Sequence, residues 1–521
     1  MSFNKQSRAL SMIKTSGVGT ICHVLNVVVG FVYRTAFIAI LSERYLGING
    51  LFWDLFGILS LAELGLGATI GYRFYKPIAE NDTAHVARLM RFYKHVYLMI
   101  AGVVLAIGLA LYPFLPCLIR DASEIPADVN LSLVYFLFLA QSVSSYLFVY
   151  RLTIWDADRK SHVTIFTNML TDTGRFAIQL LVLFLTRDFV WTIASGLALV
   201  VTMNILLSAW TTRHYPAVFA NAGALPRTEK VGIFKDAGAM MLHRIGGTVV
   251  NSTDSLVLSK FVGLAAVGLY SNYALLTAAL YRIINQLIGG FTSNYGNAYA
   301  TLDDQGLYAL YRKMTFLNLA ISGFAAACLY LLIGPFIRLW LGARMCLNPL
   351  TEIVIAALFF MQTSTITNGT NIMASGLFVR DKPRPVIEAV LNIIISIALV
   401  GPYGVAGVFL GTIASSALTV FWRMPYLLFT EKFHRSTGLF WAQYIRMAAL
   451  PLAFAVLVRH YVTYAPQSWV GWFAYATTLA LAYALAFAAL YGWTRDGRDF
   501  IATVSEKVIG KIRKRLGSSK K

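Results

Sequence analysis

Charged residues are scarce in this sequence, and no long polar stretch interrupts its apolar runs. Asp, Glu, Lys and Arg make up 13% of the 521 residues, whereas apolar residues make up 58% and the mean hydropathy is +0.64. A soluble globular domain carries about 25% charged residues, because polar groups must cover its core. The composition therefore excludes a soluble globular protein and predicts an all-α protein with many membrane-spanning helices.

Paired cysteines and clustered histidines are also lacking. The cysteines, Cys22, Cys117, Cys328 and Cys346, form no CxxC and no close pair, and the eight histidines are scattered without ligand spacing. These absences exclude a disulfide framework and a zinc motif. We therefore expect no metal site and no bound cofactor.

Fourteen mainly apolar segments are long enough, at about 20 residues each, to cross a hydrocarbon core of roughly 30 Å. No soluble domain fits between them. They predict membrane spans at residues 17–41, 48–70, 93–119, 131–154, 163–186, 190–212, 237–261, 266–290, 314–337, 350–376, 385–400, 404–430, 440–463 and 470–494.

Basic residues concentrate in alternate loops. About 32 of the 44 Lys and Arg fall on one side of the membrane and about 7 on the other. The positive-inside rule then predicts that both termini face the cytoplasm. The net charge of +20 would also suit a nucleic acid, but these charges flank lipid-embedded segments, so we expect anionic membrane lipids and no nucleic acid as the partner.

The outer loops are short, the longest lying at about residues 120–130 and 338–349. A polytopic polymerase or lipid-sugar transferase needs a sizeable outer loop that bears catalytic Arg, Asp or His. Because no such loop is present, we predict that the chain is not an enzyme, has no catalytic residue and functions through groups between its helices.

A long inner loop with Pro216, Gly223 and Pro226 divides the chain. It predicts a six-helix bundle at residues 1–212, a linker at 213–236 and a second six-helix bundle at 237–430. Two extra helices at 431–494 and a basic amphipathic cytoplasmic tail at 495–521 follow. Residues 50–54 resemble residues 268–272, which indicates two pseudo-symmetric bundles with the substrate site at their interface.

Ionisable residues within spans cost at least about 2.5 kcal/mol each on insertion scales, so each must be paired, face water or serve the function. Arg34 and Asp54 lie at similar depths on the first two spans, which suits either a salt bridge or a role in a cavity. Asp172 and Arg175 are three residues apart on one helix face, which favours an intramembrane ion pair.

Arg244 and Arg282 lie at about the same depth on the seventh and eighth spans, with no acid at that depth on those helices. Two like charges repel unless an anion compensates them, and a guanidinium binds phosphate oxygens bidentately. Both are therefore candidates for binding a substrate diphosphate. The alternative is that either side chain reaches the inner interface, which at this depth is feasible for Arg244.

Glu63 and Glu388 have no evident partner in the sequence. A lone intramembrane carboxylate suits a proton or sodium relay, and a protonated structural acid suits the pattern equally. Polar stripes at residues 141–145 and 362–371 can bond sugar hydroxyls or only neighbouring helices.

Motifs distributed over almost the whole chain stand at residues 45–52, 62–67, 72–94, 254–257, 268–273 and 337–342. In these segments the sequence resembles the bacterial polysaccharide (O-antigen, Wzx-type) flippases of the multidrug/oligosaccharidyl-lipid/polysaccharide exporter superfamily. The resemblance implies a flippase in the bacterial cytoplasmic membrane. Such a protein moves an undecaprenyl-diphosphate-linked oligosaccharide, the repeat unit of a capsule or lipopolysaccharide, to the outer leaflet by alternating access.

The resemblance also implies roles for individual residues. Arg34, Arg244 and Arg282 would contact the lipid diphosphate, and Asp54 and Glu63 would couple transport to an H⁺ or Na⁺ gradient. A polysaccharide polymerase and glycosyltransferases would be partners. The alternatives are a multidrug or metabolite cation-coupled antiporter of the same superfamily, which needs an acid-dominated cavity, and a non-transporting scaffold of a polysaccharide assembly complex.

Overall fold

The computed structural model describes residues 8–63, 66–158, 160–220, 223–289, 295, 298–299, 301–494 and 496–498, and in parts of α1 and α9 it describes the backbone without the side chains. The described residues are helical and contain no β-strand, so the predicted all-α fold is confirmed. Almost all of the predicted amphipathic tail lies outside the described residues.

The α-helices follow one another with short connections, several of them 3₁₀ turns such as Ser60–Glu63 and Val149–Leu152. In chain order they are α1 (Arg8–Ile40), α2 (Glu43–Leu59), α3 (Leu66–Ala79), α4 (Thr83–Leu111), α5 (Leu131–Phe148), α6 (Thr153–Ala157), α7 (Ser161–Thr186), α8 (Phe189–His214), α9 (Arg227–Phe261), α10 (Leu264–Gly289), α11 (Asp304–Leu341), α12 (Pro349–Ser364), α13 (Ile366–Ala374), α14 (Arg384–Tyr403), α15 (Val405–Leu418), α16 (Val420–Glu431), α17 (Gly438–Tyr461) and α18 (Trp469–Tyr491).

Eleven helical segments of the described chain are long and apolar enough to cross a membrane. Each of the fourteen predicted spans coincides with a helix or with a consecutive pair of helices. The three spans outside the eleven lie on α1, on α2 with α3, and on α9; α1 contributes a shorter apolar stretch, Leu25–Ile40. The protein is therefore a multi-pass membrane protein, while the count of fourteen and the orientation of the termini stay predictions.

Local sequence signals start many of these helices. A side-chain oxygen of the residue before the helix accepts a hydrogen bond from the backbone N–H three residues later, which satisfies a donor that has no partner within the helix. The capping residues are Asp82, Asn130, Asp188, Asp303, Asn348 and Ser468.

The chain forms two compact units, and unit 1 comprises residues 1–271 and 382–408. Within unit 1, α1 packs on α7, α7 on α8, and α5 on both α4 and α8, while α9 packs on α2 and α14. Phe52 and Phe56 of α2 contact Tyr135 and Phe138 of α5, with ring centroids 5.3 to 6.3 Å apart. This aromatic packing buries one face of α2.

Helices α9 and α14 both belong to unit 1, and the predicted division into two bundles stays a prediction. Hydrogen bonds join these helices to each other and to α2. The Thr253 hydroxyl of α9 donates to Asn392 Oδ1 of α14 over 3.2 Å, and both side chains are buried. The Ser255 hydroxyl of α9 donates to the Asp54 carboxylate of α2.

Unit 2 comprises residues 272–381 and 409–521, and its longest helix, α11, packs on α12, α17 and α18. Phe316 and Leu319 of α11 form a buried cluster with residues of α17 and α18. The polar stripe at residues 362–371 is largely buried. Asn318 Nδ2 of α11 donates to the Ser364 backbone carbonyl over 3.0 Å, and the Tyr311 hydroxyl of α11 donates to Asn368 Oδ1 over 2.7 Å. The Ser364 backbone and the Asn368 side chain therefore bond the neighbouring helix α11.

Two glycines allow the backbones at the amino ends of α2 and α10 to touch within unit 1. A Cβ atom added to Gly47 would lie 2.0 Å from the Leu264 carbonyl oxygen, and one added to Gly268 would lie 2.1 Å from the Glu43 carbonyl oxygen. Gly47 thus meets the carbonyl of Leu264, which lies four residues before Gly268, and Gly268 meets the carbonyl of Glu43, which lies four residues before Gly47. The contact is reciprocal, as expected where two repeated segments cross.

We predict that Gly268→Val lowers thermal stability markedly, whereas Gly102→Val has little effect. Overpacking a tight contact costs about 1–3 kcal/mol, and here the opposing atom is a backbone oxygen that cannot rotate away. A Cβ at Gly102, on α4, would meet nothing within 4 Å. The melting temperatures of the purified variants in detergent test this, and equal melting temperatures would contradict the reciprocal contact.

Candidate functional site

A group of polar side chains from four helices of unit 1 meets within the membrane-spanning part of the chain. We call it the polar cluster, and it consists of Arg34 (α1), Asp54 (α2), Asp254 and Ser255 (α9), and Tyr270 and Ser271 (α10). Arg34 lies six residues before the end of α1, or about 9 Å at the helical rise. Polar groups at such depth are costly unless they bond one another or water.

The charges of the polar cluster bind to hydroxyl groups. Arg34 Nη2 donates to Ser271 Oγ, and the Asp54 carboxylate accepts from the Ser255 hydroxyl. Tyr270 lies within electrostatic range of Asp254 and Asp54. The contacts described for Arg34 and Asp54 are with hydroxyls that α10 and α9 supply, and the sequence did not place these hydroxyls beside the two charges.

Asp172 and Arg175 form the contact that their spacing predicts, with 3.5 Å between Arg175 Nη2 and Asp172 Oδ1. The Arg175 guanidinium carbon lies 4.7 Å from the centroid of the Phe176 ring and 5.9 Å from that of the Trp53 ring. Tyr33 of α1 is within electrostatic range of both Arg175 and Arg34. The α7 pair therefore adjoins the polar cluster.

This side of unit 1 must be in contact with water. The Asp172 side chain is 47% exposed, although the residue lies about 16 Å from the start of α7, near the middle of a helix about 39 Å long. An exposed carboxylate at that depth cannot face hydrocarbon without a large cost. We call Trp53, Asp172 and Arg175 the aqueous face.

Trp53, Tyr33 and Tyr270 were not among the predicted site residues. Trp53 is 55% exposed, although its neighbour Phe52 is fully buried. The only sequence signal for Trp53 was its position beside Asp54 in the repeated segment at residues 50–54. Tyr270 stands in the matching segment at residues 268–272, whereas Tyr33 carried no signal, and the contacts of both with other helices were not visible in the sequence.

Glu63 has a partner that the sequence did not reveal. The Tyr97 hydroxyl donates to Glu63 Oε1 over 2.7 Å, and the Tyr93 hydroxyl donates to that of Tyr97 over 3.0 Å. Gly67 leaves room for this carboxylate, since a Cβ there would lie 2.2 Å from Glu63 Oε1. Glu63 had no evident partner in the sequence, and the structure shows that the Tyr97 hydroxyl is one.

Glu388 also has a partner. Arg384 Nη1 donates to Glu388 Oε2 over 2.9 Å, and both residues are buried on α14. Their four-residue spacing places them on one helix face. Arg384 immediately precedes the predicted span at residues 385–400, so the sequence analysis did not consider it as an intramembrane partner of Glu388.

The structure does not bring Arg244 and Arg282 together. The Arg244 side chain lies outside the described residues, although the α9 backbone around it is helical. Arg282, in the part of α10 that belongs to unit 2, is exposed, and no partner of its guanidinium is found in the described part of the chain. Within that same part, no group of three His, Cys, Asp or Glu could hold a metal ion.

Solved structures of membrane transporters share this fold. The lipid II flippase MurJ in an inward closed conformation matches with a TM-score of 0.63 and 11% identity, over 90% of this chain and 98% of that one. An inward-facing multidrug resistance MATE family transporter of the MOP superfamily matches with a TM-score of 0.54 and 12% identity, over 86% and 99%. A point mutant of the Vibrio cholerae MATE transporter VcmN matches with a TM-score of 0.50 and 15% identity, over 81% and 99%.

The fold is therefore that of a MurJ-like and MATE-like transporter. The family described as "polysaccharide biosynthesis protein" matches residues 12–290, which is just over half of the chain. The chain belongs to this family, and the predicted resemblance to polysaccharide exporters of the same superfamily is confirmed. No match was found among the curated proteins.

We predict that a cysteine at position 172 reacts with a membrane-impermeant charged thiol reagent, whereas one at position 181 does not. Leu181 is 55% exposed on the same helix, but nine residues of 100° each place it on the opposite face. The test uses Asp172→Cys and Leu181→Cys in a cysteine-free background in native membranes. Equal protection of both thiols would show that Asp172 does not face water.

Proposed function

We propose that the chain is a flippase that moves an undecaprenyl-diphosphate-linked oligosaccharide from the inner to the outer leaflet of the bacterial cytoplasmic membrane. The family and the transporter fold support this proposal. The observation that carries it is the placement of guanidinium groups at membrane depth: Arg34 and Arg175 flank Tyr33, and Arg282 is exposed on α10. Cationic groups at that depth suit an anionic substrate that enters and leaves.

A lipid diphosphate fits these groups chemically. Each guanidinium presents two parallel N–H donors and stays charged at any working pH, so it binds phosphate oxygens bidentately without proton exchange. Arg34 and Arg282 are the described candidates, and Arg244 stays a candidate from the sequence alone. The transporter works by alternating access, in which the diphosphate meets these arginines first from the inner leaflet and later from the outer one.

An ion gradient of H⁺ or Na⁺ drives the cycle in this proposal, and Asp54 is the coupling residue that we favour. Its described contact is the neutral Ser255 hydroxyl, whereas Glu388 has the cationic partner Arg384. A carboxylate held by a hydroxyl can exchange a proton or a sodium ion without breaking a salt bridge. Glu63, with its tyrosine contacts, is the second candidate.

The principal alternative is a cation-coupled antiporter for drugs or metabolites. The likeness to MATE transporters and the acidic pair Asp54 and Asp254 favour it. Against it, a cationic substrate would be repelled by Arg34 and Arg175 near the same acids.

A polysaccharide polymerase and glycosyltransferases are the partners we propose for the flippase. A scaffold without transport activity is the remaining alternative.

We predict that Arg34→Ala and Arg282→Ala each slow leaflet exchange of the lipid-linked oligosaccharide at least about tenfold. Hydrogen bonds to charged groups contribute about 1.5–3 kcal/mol, which corresponds to such a factor. Arg34→Lys should keep part of the rate, because it keeps the charge and loses the bidentate geometry. The measurement is exchange in liposomes that contain the purified protein.

The matched control is Arg344→Ala, which removes an exposed arginine of an outer loop. It should keep the full rate. Full rates in both Arg34→Ala and Arg282→Ala would remove the diphosphate site, and faster exchange of a cationic dye than of the glycan lipid would favour the antiporter.

We further predict that Asp54→Asn abolishes the response of transport to an imposed H⁺ or Na⁺ gradient but leaves gradient-free exchange within about threefold of the original rate. Asparagine keeps the size and can still bond Ser255, but it cannot change its charge. Glu388→Gln is the comparison, since its carboxylate is held by Arg384. An unchanged gradient response in Asp54→Asn would exclude Asp54 as the coupling residue.

A further inference from the structure

We propose that Trp53 is a stacking platform for a sugar ring of the transported glycan, with the Asp172 carboxylate beside it as an acceptor for sugar hydroxyls. The inference rests on the proposed function and deepens it, because it names the part of the substrate that meets the aqueous face. The diphosphate and the sugar would then contact different side chains.

The first argument is that the packing of α2 does not use the Trp53 ring. Phe52 and Phe56 bury the face of α2 that contacts α5, whereas Trp53, one residue along from Phe52, is 55% exposed. No hydrogen bond of the indole N–H is found among the described residues. A large aromatic side chain is therefore available for a ligand.

The second argument concerns depth. Trp53 lies five residues after the start of the predicted span at residue 48, or about 8 Å at the helical rise, close to the depth of its neighbour Asp54. Tryptophan that anchors a helix to lipid lies at the membrane–water interface, where its ring is at headgroup level. The position of Trp53 does not suit that role.

The third argument concerns what Trp53 faces. Arg175 is held over its ring at 5.9 Å and also contacts Asp172, whose side chain is 47% exposed. Because an exposed carboxylate at this depth requires water, the indole beside the Asp172–Arg175 pair borders the same water. The cation also orients the ring, since a guanidinium is attracted to the electron-rich face of an indole.

These three groups match the surface of a pyranose. One side of such a ring presents C–H groups, which pack on the flat, electron-rich face of an indole, and its rim presents hydroxyls. A carboxylate accepts two hydroxyl hydrogen bonds at once, and the indole N–H can donate a further one. A platform of this kind tolerates different sugars, because every pyranose has a C–H face.

The test measures the binding of two lipids to purified protein: undecaprenyl diphosphate without sugar, and the same lipid carrying the oligosaccharide. We expect Trp53→Ala to weaken binding of the glycan lipid about tenfold and to leave the sugar-free lipid within about twofold. Trp53→Phe should recover most of the loss, because it keeps an aromatic face. Trp191→Ala, which removes a tryptophan that is 64% exposed at the start of α8, should change neither affinity.

The outcomes separate this inference from the proposed function. Equal weakening for both lipids, or no weakening for either, would overturn the platform while leaving the flippase intact. If the unaltered protein binds and exchanges neither lipid, the proposed function itself fails. If Trp53→Ala weakens binding of a cationic aromatic dye and not of the glycan lipid, the platform serves an antiporter instead and the sugar assignment is wrong.

Discussion

The cost of a charge in hydrocarbon is the constraint on which the rest of this structure depends. Each ionisable side chain at membrane depth must bond a partner or reach water. Arg384 and Glu388 neutralise each other in a buried pair, whereas Asp54 is held by the Ser255 hydroxyl. Asp172 reaches water instead, because its carboxylate beside Arg175 is exposed at membrane depth. The exposed Asp172 carboxylate thus indicates the part of unit 1 that borders water.

The membrane environment also determines which interactions hold the helices together. Lipid tails are as apolar as leucine, so close backbone approach and hydrogen bonds between helices, and not hydrophobic burial, decide which helices associate. Gly47 and Gly268 let the ends of α2 and α10 touch, and the Thr253 hydroxyl joins α9 to α14. These contacts hold α9 and α10 where Ser255 and Ser271 meet the charges of α1 and α2. The polar cluster is therefore a consequence of the packing of unit 1.

A transporter of the polysaccharide biosynthesis family needs groups that bind its substrate and release it again. Guanidinium groups that bond hydroxyls, as Arg34 does with Ser271, suit this need because a hydroxyl is a neutral partner that a phosphate can replace. The fully buried pair on α14 is the opposite case, since breaking it would leave an uncompensated charge. The exposure of these intramembrane charges, and not their residue type, distinguishes the buried pair on α14 from the pair on α7.

The sequence by itself determined the helices, because hydropathy over about 20 residues and capping side chains act locally. It also determined the Asp172–Arg175 contact, because a spacing of three residues places both side chains on one face of the helix. The Arg384–Glu388 pair was equally local and was missed only because the span was begun one residue too late. Only the tertiary structure decided that Arg34 meets Ser271, that Tyr97 reaches Glu63, and that Trp53 stays uncovered. Such contacts depend on the rotation and crossing of helices distant in the chain, which no local pattern encodes.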